Sequence, residues 1–277
     1  MVESFGQRLV ERLREQGGLC LGIDPSSSAL LGWDRPDSVE GLEYFSRALV
    51  EIAREEVAVI KPQVAYFERF GSKGFAVLEQ VLSEAREAGL LTIADAKRGD
   101  IGSTNLGYVQ AWLSEDSPLR ADAVTVSPYL GVGSLADFYG VAEKNGRGVF
   151  LLAATSNPEG RTVQRSHTDG GERIEEFVLR SIREINQRDQ VLGSVGAVVG
   201  ATRDDVAFDW ETLNGPYLVP GVGAQVASVS QVARMFERCP NGSVIVPVSR
   251  AISEAGPSKS AIRDSVRRFA DEVRDSF

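Results

Sequence analysis

LLTIADAKRGD, residues 90–100, begins as an apolar run and ends in opposite charges: Asp95, Lys97 and Asp100, with Arg98 beside them. The apolar part is short, as a strand buried on both faces of a parallel sheet should be. The charged part must then lie where the strand leaves the core.

Seven further runs share this character: LCLGID (19–24), VAVIKPQ (57–63), ADAVTVSP (121–128), GVFLLAAT (148–155), VGAVVGAT (195–202), PYLVPGVG (216–223) and GSVIVPVSR (242–250). They are rich in Val, Ile, Leu and Ala and punctuated by Gly, Pro or Asp. Between them lie amphipathic patterns such as Leu42, Phe45, Leu49 and Ile52, or Val77, Leu78, Val81, Leu82 and Ala85, each an apolar stripe at helical spacing. Strand and helix are therefore expected to alternate to the C-terminus. Eight such units in 277 residues fit a closed (β/α)8 TIM barrel better than an open doubly wound sheet, and residues 1–277 are expected to form one α/β domain. Phe5, Leu9 and Leu13 predict an extra helix before the first strand, placed to cap the barrel bottom. The longest polar connection, SNPEGRTVQRSHTDGGER (156–173), reads as a functional lid or a disordered loop.

The 43% hydrophobic composition supplies a sizeable core. A net charge of −9, without runs of Lys and Arg, argues against a general nucleic-acid surface, so an anionic ligand needs a local basic site. Cys20 and Cys239 lack a Cys-x-x-Cys spacing, which argues against a disulfide scaffold or structural zinc. There is no secretory-signal pattern, and no apolar segment approaches the roughly 18–20 residues that cross a bilayer. A cytoplasmic protein without a membrane partner is expected.

Active sites of such barrels lie at the C-terminal ends of the strands. Strand one ends in Asp24, strand two in Lys61, strand three in Asp95 and Lys97, strand five just before Ser156, and strand eight in Ser249 and Arg250. These residues are expected to converge on one mouth. Asp95 and Lys97 are two apart, so on an extended strand both face the barrel interior, with Asp100 following in the loop. A lysine held between two carboxylates stays protonated at neutral pH and is poised to donate a proton. Taken alone, the cluster fits equally a salt network that closes the rim; the convergence of the other strand ends gives it functional weight.

PGVGAQ (220–225) and VSRAI (248–252) form a second constellation. Small residues there let backbone N–H groups approach a ligand, and Arg250 can offer a two-pronged contact to phosphate. Other motifs carry less. GVGSLA (131–136) has the spacing of a dinucleotide loop, but the next strand offers no acid for a ribose, so it reads as a turn and helix start. His167, the only histidine, reads as a solvated loop residue, and Trp33, Trp112 and Trp210 read as packing residues.

DAKRGDI with Thr104 downstream, IKPQ, SNPEG, PGVGAQ, VSRAI and FGxxGxxVLE (70–79) together resemble the orotidine 5′-phosphate decarboxylases in their longer bacterial form, the type 2 subfamily. The likeness covers nearly the whole chain. It implies a cofactor-free, homodimeric (β/α)8 enzyme that makes uridine 5′-phosphate for pyrimidine synthesis. By the resemblance, Lys97 protonates C6 of the pyrimidine as carbon dioxide leaves, and Asp95 lies against the substrate carboxylate. Asp100 and Thr104 reach the neighbouring subunit's site near the ribose. Asp24 and Lys61 hold ribose hydroxyls and extend the charge network. Ser156 contacts the pyrimidine and Gln225, while Gln225 and Arg250 grip the phosphate, with Pro220 and Ser249 among the substrate-binding residues. The rival reading is a magnesium-dependent sugar-phosphate decarboxylase or aldolase of the same superfamily. That chemistry needs further carboxylates at strand ends, where strand two offers Lys61.

Overall fold

The computed structural model describes residues 2–223 and 227–277. Eight parallel strands close into a barrel in chain order, the last pairing with the first. They are β1 (Leu19–Ile23), β2 (Val59–Pro62), β3 (Leu91–Arg98), β4 (Ala123–Val126), β5 (Gly148–Ala154), β6 (Val195–Val199), β7 (Tyr217–Leu218) and β8 (Val244–Val248). Each predicted run supplies one strand. The helices are α1 (Phe5–Gln16), α2 (Ser27–Gly32), α3 (Val39–Glu56), α4 (Ala65–Glu68), α5 (Gly71–Glu87), α6 (Gly102–Leu113), α7 (Ala136–Asn145), α8 (Arg161–Gln164), α9 (Ile174–Ile185), α10 (Val229–Met235), α11 (Arg250–Ser253) and α12 (Lys259–Ser276).

The predicted stripes of α3 and α5 are buried against the outside of the barrel, as their spacing requires. A second apolar cluster fills the inside, and α1 belongs to it. Ser4 and Gln7 form a capping box that starts α1, and Phe5, Leu9, Val10 and Leu13 bury the face that plugs the N-terminal end. The Phe5 ring meets Phe150 edge-on at 6.0 Å. Gly148 makes room for it, since a Cβ there would lie 2.3 Å from the Phe5 ring. Asp122 pins the same end: its Oδ1 accepts from Arg8 at 2.9 Å and Arg147 at 3.1 Å, and its Oδ2 from the Thr92 backbone and hydroxyl. With the bottom closed, the barrel interior opens only at its C-terminal mouth among the described residues.

One expectation needs correction and another is narrowed. Strand and helix do not alternate throughout: between β6 and β7 there is only a 3-10 turn, Trp210–Thr212. Residues 200–215 carry only the short stripe Val206, Trp210 and Leu213, and packed aromatic rings of Phe208, Trp210, Tyr217 and Phe236 cover the barrel there. The polar connection 156–173, read as a functional lid or a disordered loop, is ordered, which leaves the first of these readings. It holds a turn at Pro158–Gly160, α8, and a bridge between His167 and Arg173.

Candidate active site

At the mouth, a cavity of about 290 Å³ is bordered by Asp24, Lys61, Asp95 and Lys97 on one side and Ser156, Pro220, Ser249 and Arg250 on the other. Its floor includes Leu152, Val198 and Leu218. A larger groove of about 710 Å³, lined by residues of α3 and α5, lies on the outer face of the barrel and gathers no such constellation.

Asp95 is the centre of charge. Its Oδ2 accepts from Lys61 Nζ at 3.0 Å, and its Oδ1 accepts from Lys97 Nζ at 2.6 Å and from the Thr125 hydroxyl at 2.9 Å. The expected lysine between two carboxylates is thus, within one chain, a carboxylate between two lysines. Asp100 makes no ion pair among the described residues; its Oδ1 accepts from the Ile101 N–H at 2.8 Å. The reason is local: Asn105, fully buried, accepts from the Asp100 N–H and donates to the Asp100 and Ser134 carbonyls, which fixes this turn apart from the Lys97 amine.

Nor does a regular strand bring Asp95 and Lys97 together. Lys97 has φ of 50°, and the pairing of β3 with β4 shifts between Ala94 and Arg98. A left-handed lysine costs roughly 1–2 kcal/mol, and the Thr125 hydroxyl offsets part of this by accepting from the Lys97 N–H at 3.0 Å. Thr125 therefore holds both catalytic candidates. It was overlooked in sequence, although a polar residue inside the run AVTV near a strand's C-terminal end is the signal that marks it.

Burial alone would favour the neutral amine of Lys61, but the carboxylates of Asp95 and Asp24 outweigh it and push its pKa up. Burial likewise opposes the charge on Asp95, yet Lys61 and Lys97 hold its carboxyl far below the usual carboxylate range. Cys20, beneath them, is pushed up to about 12, chiefly by burial, and stays an inert thiol. Lys61 is only 5% exposed, whereas the Lys97 side chain keeps 45% exposure toward the mouth.

Across the cavity, Gly22 makes room for Ser249, whose hydroxyl would lie 1.8 Å from a Cβ at that position. Gly223, at φ of 77°, packs against Ala251, so the loops after β7 and β8 lie side by side. Among the described residues no carboxylate pairs with Arg250, which stands exposed at the start of α11. Gln225 lies outside the described residues. Among the described residues, Asp24 Oδ1 is buried without a hydrogen-bond partner. Thr104 and Asp100 do not line the cavity; Thr104 is exposed on the first turn of α6.

The model of the orotidine 5′-phosphate decarboxylase / HUMPS family matches residues 17–265. The chain belongs to this family. It is 48% identical over 273 residues to orotidine 5′-phosphate decarboxylase of Salinispora arenicola, covering 99% of this chain and 98% of that protein. The same enzyme of Streptomyces coelicolor is also 48% identical, with the same coverage. A crystal structure from Streptomyces avermitilis, assigned to this enzyme, superposes with a TM-score of 0.94 at 47% identity, covering 99% of this chain and 96% of that one. The Leishmania donovani OMP decarboxylase gives 0.78 at 28% identity, with 99% and 98% covered. The fold shared with these structures is thus the closed barrel.

Proposed function

We propose that the chain decarboxylates orotidine 5′-phosphate to uridine 5′-phosphate in pyrimidine synthesis, as a cytoplasmic enzyme without metal or cofactor, with Lys97 as the proton donor. The observation that carries this reading is the Lys61–Asp95–Lys97 charge chain beside the cavity. As the bond from C6 to the carboxylate breaks, its electron pair stays on C6 and carbon dioxide departs. The Lys97 ammonium stabilises that developing charge more than it stabilises the ground state. Its proton then forms the new C6–H bond, and the amine regains a proton from water. Lys61 keeps Asp95 ionised and aligned against the substrate carboxylate.

The remaining residues bind. A ribose hydroxyl would satisfy Asp24 Oδ1, a buried acceptor whose lack of a partner costs about 1–3 kcal/mol. Arg250 and Gln225 receive the phosphate, Pro220 and Ser249 line the substrate cavity, and Ser156 meets the pyrimidine. A magnesium-dependent sugar-phosphate enzyme fits less well, because a lysine ammonium stands at the end of β2, beside Asp95, where that chemistry needs an acid.

The reading also includes a homodimer whose sites are shared, with Asp100 and Thr104 reaching the partner. Ile101 (61% exposed), Leu106 (43%), Tyr129 (79%) and Leu130 (52%) give the surface around Asp100 an apolar character suited to burial against a second copy.

A spectrophotometric assay with orotidine 5′-phosphate after exhaustive EDTA treatment tests the reaction. Undiminished turnover is expected; loss restored by magnesium would favour the sugar-phosphate enzyme. For the shared site, Lys97→Ala and Asp100→Asn chains, each nearly inactive, are mixed and allowed to exchange subunits. About a quarter of wild-type activity should return, because one site in each mixed dimer is intact. Activity no higher than the parents' average would mean that Asp100 serves its own subunit.

A further inference from the structure

Arg203 does not line the cavity, yet it is fully buried and its guanidinium is spent on the groups around Ser156. Its Nε donates to Asp205 Oδ1 at 2.8 Å, and its Nη1 to the Thr155 carbonyl at 3.0 Å and to Gln164 Oε1 at 3.1 Å. Its Nη2 donates to Glu175 Oε2 at 2.6 Å, and Glu175, in the first turn of α9, is itself fully buried. Gln164 in turn accepts from the Thr155 N–H at 3.0 Å and donates to the Thr155 hydroxyl at 2.7 Å. Thr155 is therefore held at its N–H, its carbonyl and its side chain. Ser156 is the next residue.

The same turn closes on Ser156 from the other side. The Arg203 N–H donates to the Gly200 carbonyl at 2.9 Å, and a Cβ on Gly200 would lie 2.8 Å from the Ser156 nitrogen. One arginine thus ties the end of β5, the turn after β6, α8 and the start of α9 around a single serine. A buried ion pair adds little net stability over apolar packing of the same volume. What a planar fork of donors adds is fixed geometry.

We propose that Arg203 is a positioning residue, held by Glu175, that fixes the Thr155 carbonyl and with it the direction of Ser156 toward the pyrimidine ring. This rests on the reading that Ser156 meets the pyrimidine. Loss of Arg203 should then weaken the base-dependent part of ligand affinity and spare the phosphate-dependent part.

The test is a double-mutant cycle on the dissociation constants of uridine 5′-phosphate and ribose 5-phosphate, in the full-length protein. Ser156→Ala and Arg203→Lys should each weaken uridine 5′-phosphate binding about five- to tenfold, and the double variant no more than about tenfold, because both changes remove one contact. Ribose 5-phosphate, whose phosphate meets Ser156 only through Gln225, should lose no more than about twofold in any variant. Losses that multiply in the double variant overturn the positioning role, as does an equal loss for ribose 5-phosphate. If Ser156→Ala alone leaves uridine 5′-phosphate affinity unchanged, the Ser156 reading itself is wrong. Should Arg203→Lys fail to fold, Gln164→Ala removes two of the bonds on Thr155 from a half-buried position and replaces it in the same cycle, with the same outcomes.

Discussion

Each end of the barrel carries an aspartate, buried at the bottom and partly buried at the top, flanked by two basic side chains whose kind differs between the ends. At the bottom, Asp122 is gripped by Arg8 and Arg147 and by both donors of Thr92. At the top, Asp95 is gripped by Lys61, Lys97 and Thr125. Arginine keeps its proton under any condition the fold survives, so the lower cluster can only hold. Lysine can give a proton away, and Lys97 stands half-exposed at a cavity. The same charge pattern is structural when built from guanidinium groups and reactive when built from ammonium groups facing a ligand.

That contrast can be broken by substitution. The largest expected effect is Lys97→Ala, which should lower kcat on orotidine 5′-phosphate on the order of 10⁴-fold while the melting temperature and the binding of uridine 5′-phosphate persist at least in part. Near-normal turnover would remove Lys97 from the chemistry. Next comes Asp122→Ala, which should cost about 3 kcal/mol in denaturant unfolding, because the Thr92 N–H loses its acceptor and Arg147 is left with Glu115 alone, with kcat of the folded fraction unchanged. A kcat loss without a stability loss would make the bottom cluster functional after all. Arg250→Ala should raise KM about ten- to a hundredfold with a smaller change in kcat, as expected for a lost charge-assisted phosphate contact; a change confined to kcat would contradict its binding role.

The smallest effect expected is that of pH on the Lys61–Asp95 pair. The Asp95 carboxyl is depressed below its ordinary 3.8, so its contribution is present above about pH 4 and is lost as pH falls through the folded value. Lys61 is raised above its ordinary 10.5, so its contribution is present below that and is lost as pH rises through the folded value. The unfolding free energy difference between wild type and Asp95→Asn should therefore stay flat from about pH 5 to about pH 10. A step within that range, measured by chemical denaturation, would show that one of the pair titrates there.

All eight strands and the plug helix were legible because burial leaves a mark on sequence: Phe5, Leu9 and Leu13 share one face of α1, and each strand run stands out as a short, mostly apolar stretch. What periodicity does not report is which side chains meet across strands. Lys61 and Asp95 are 34 positions apart, and their pairing depends on the register of the barrel. The left-handed Lys97 was hidden for a different reason, since a non-glycine residue gives no compositional sign of positive φ. The missing helix after β6 was over-read from the regularity of the units around it. The Arg203 hub fell in polar connections, where sequence distinguishes a solvated charge from a buried one poorly.

The plug at the bottom of the barrel also constrains how the chain can be made. Arg14 of α1 donates to the carbonyl of Asn241, 227 positions later, and Gly242 packs beneath Val10. Synthesis proceeds from the N-terminus at about 5–20 residues per second. The first helix to leave the ribosome is thus one of the last to find its complete seat, and its apolar face waits some ten seconds or more for β8 to arrive. Nascent chains stalled before β8 should accordingly be strong clients for chaperones that bind exposed amphipathic helices.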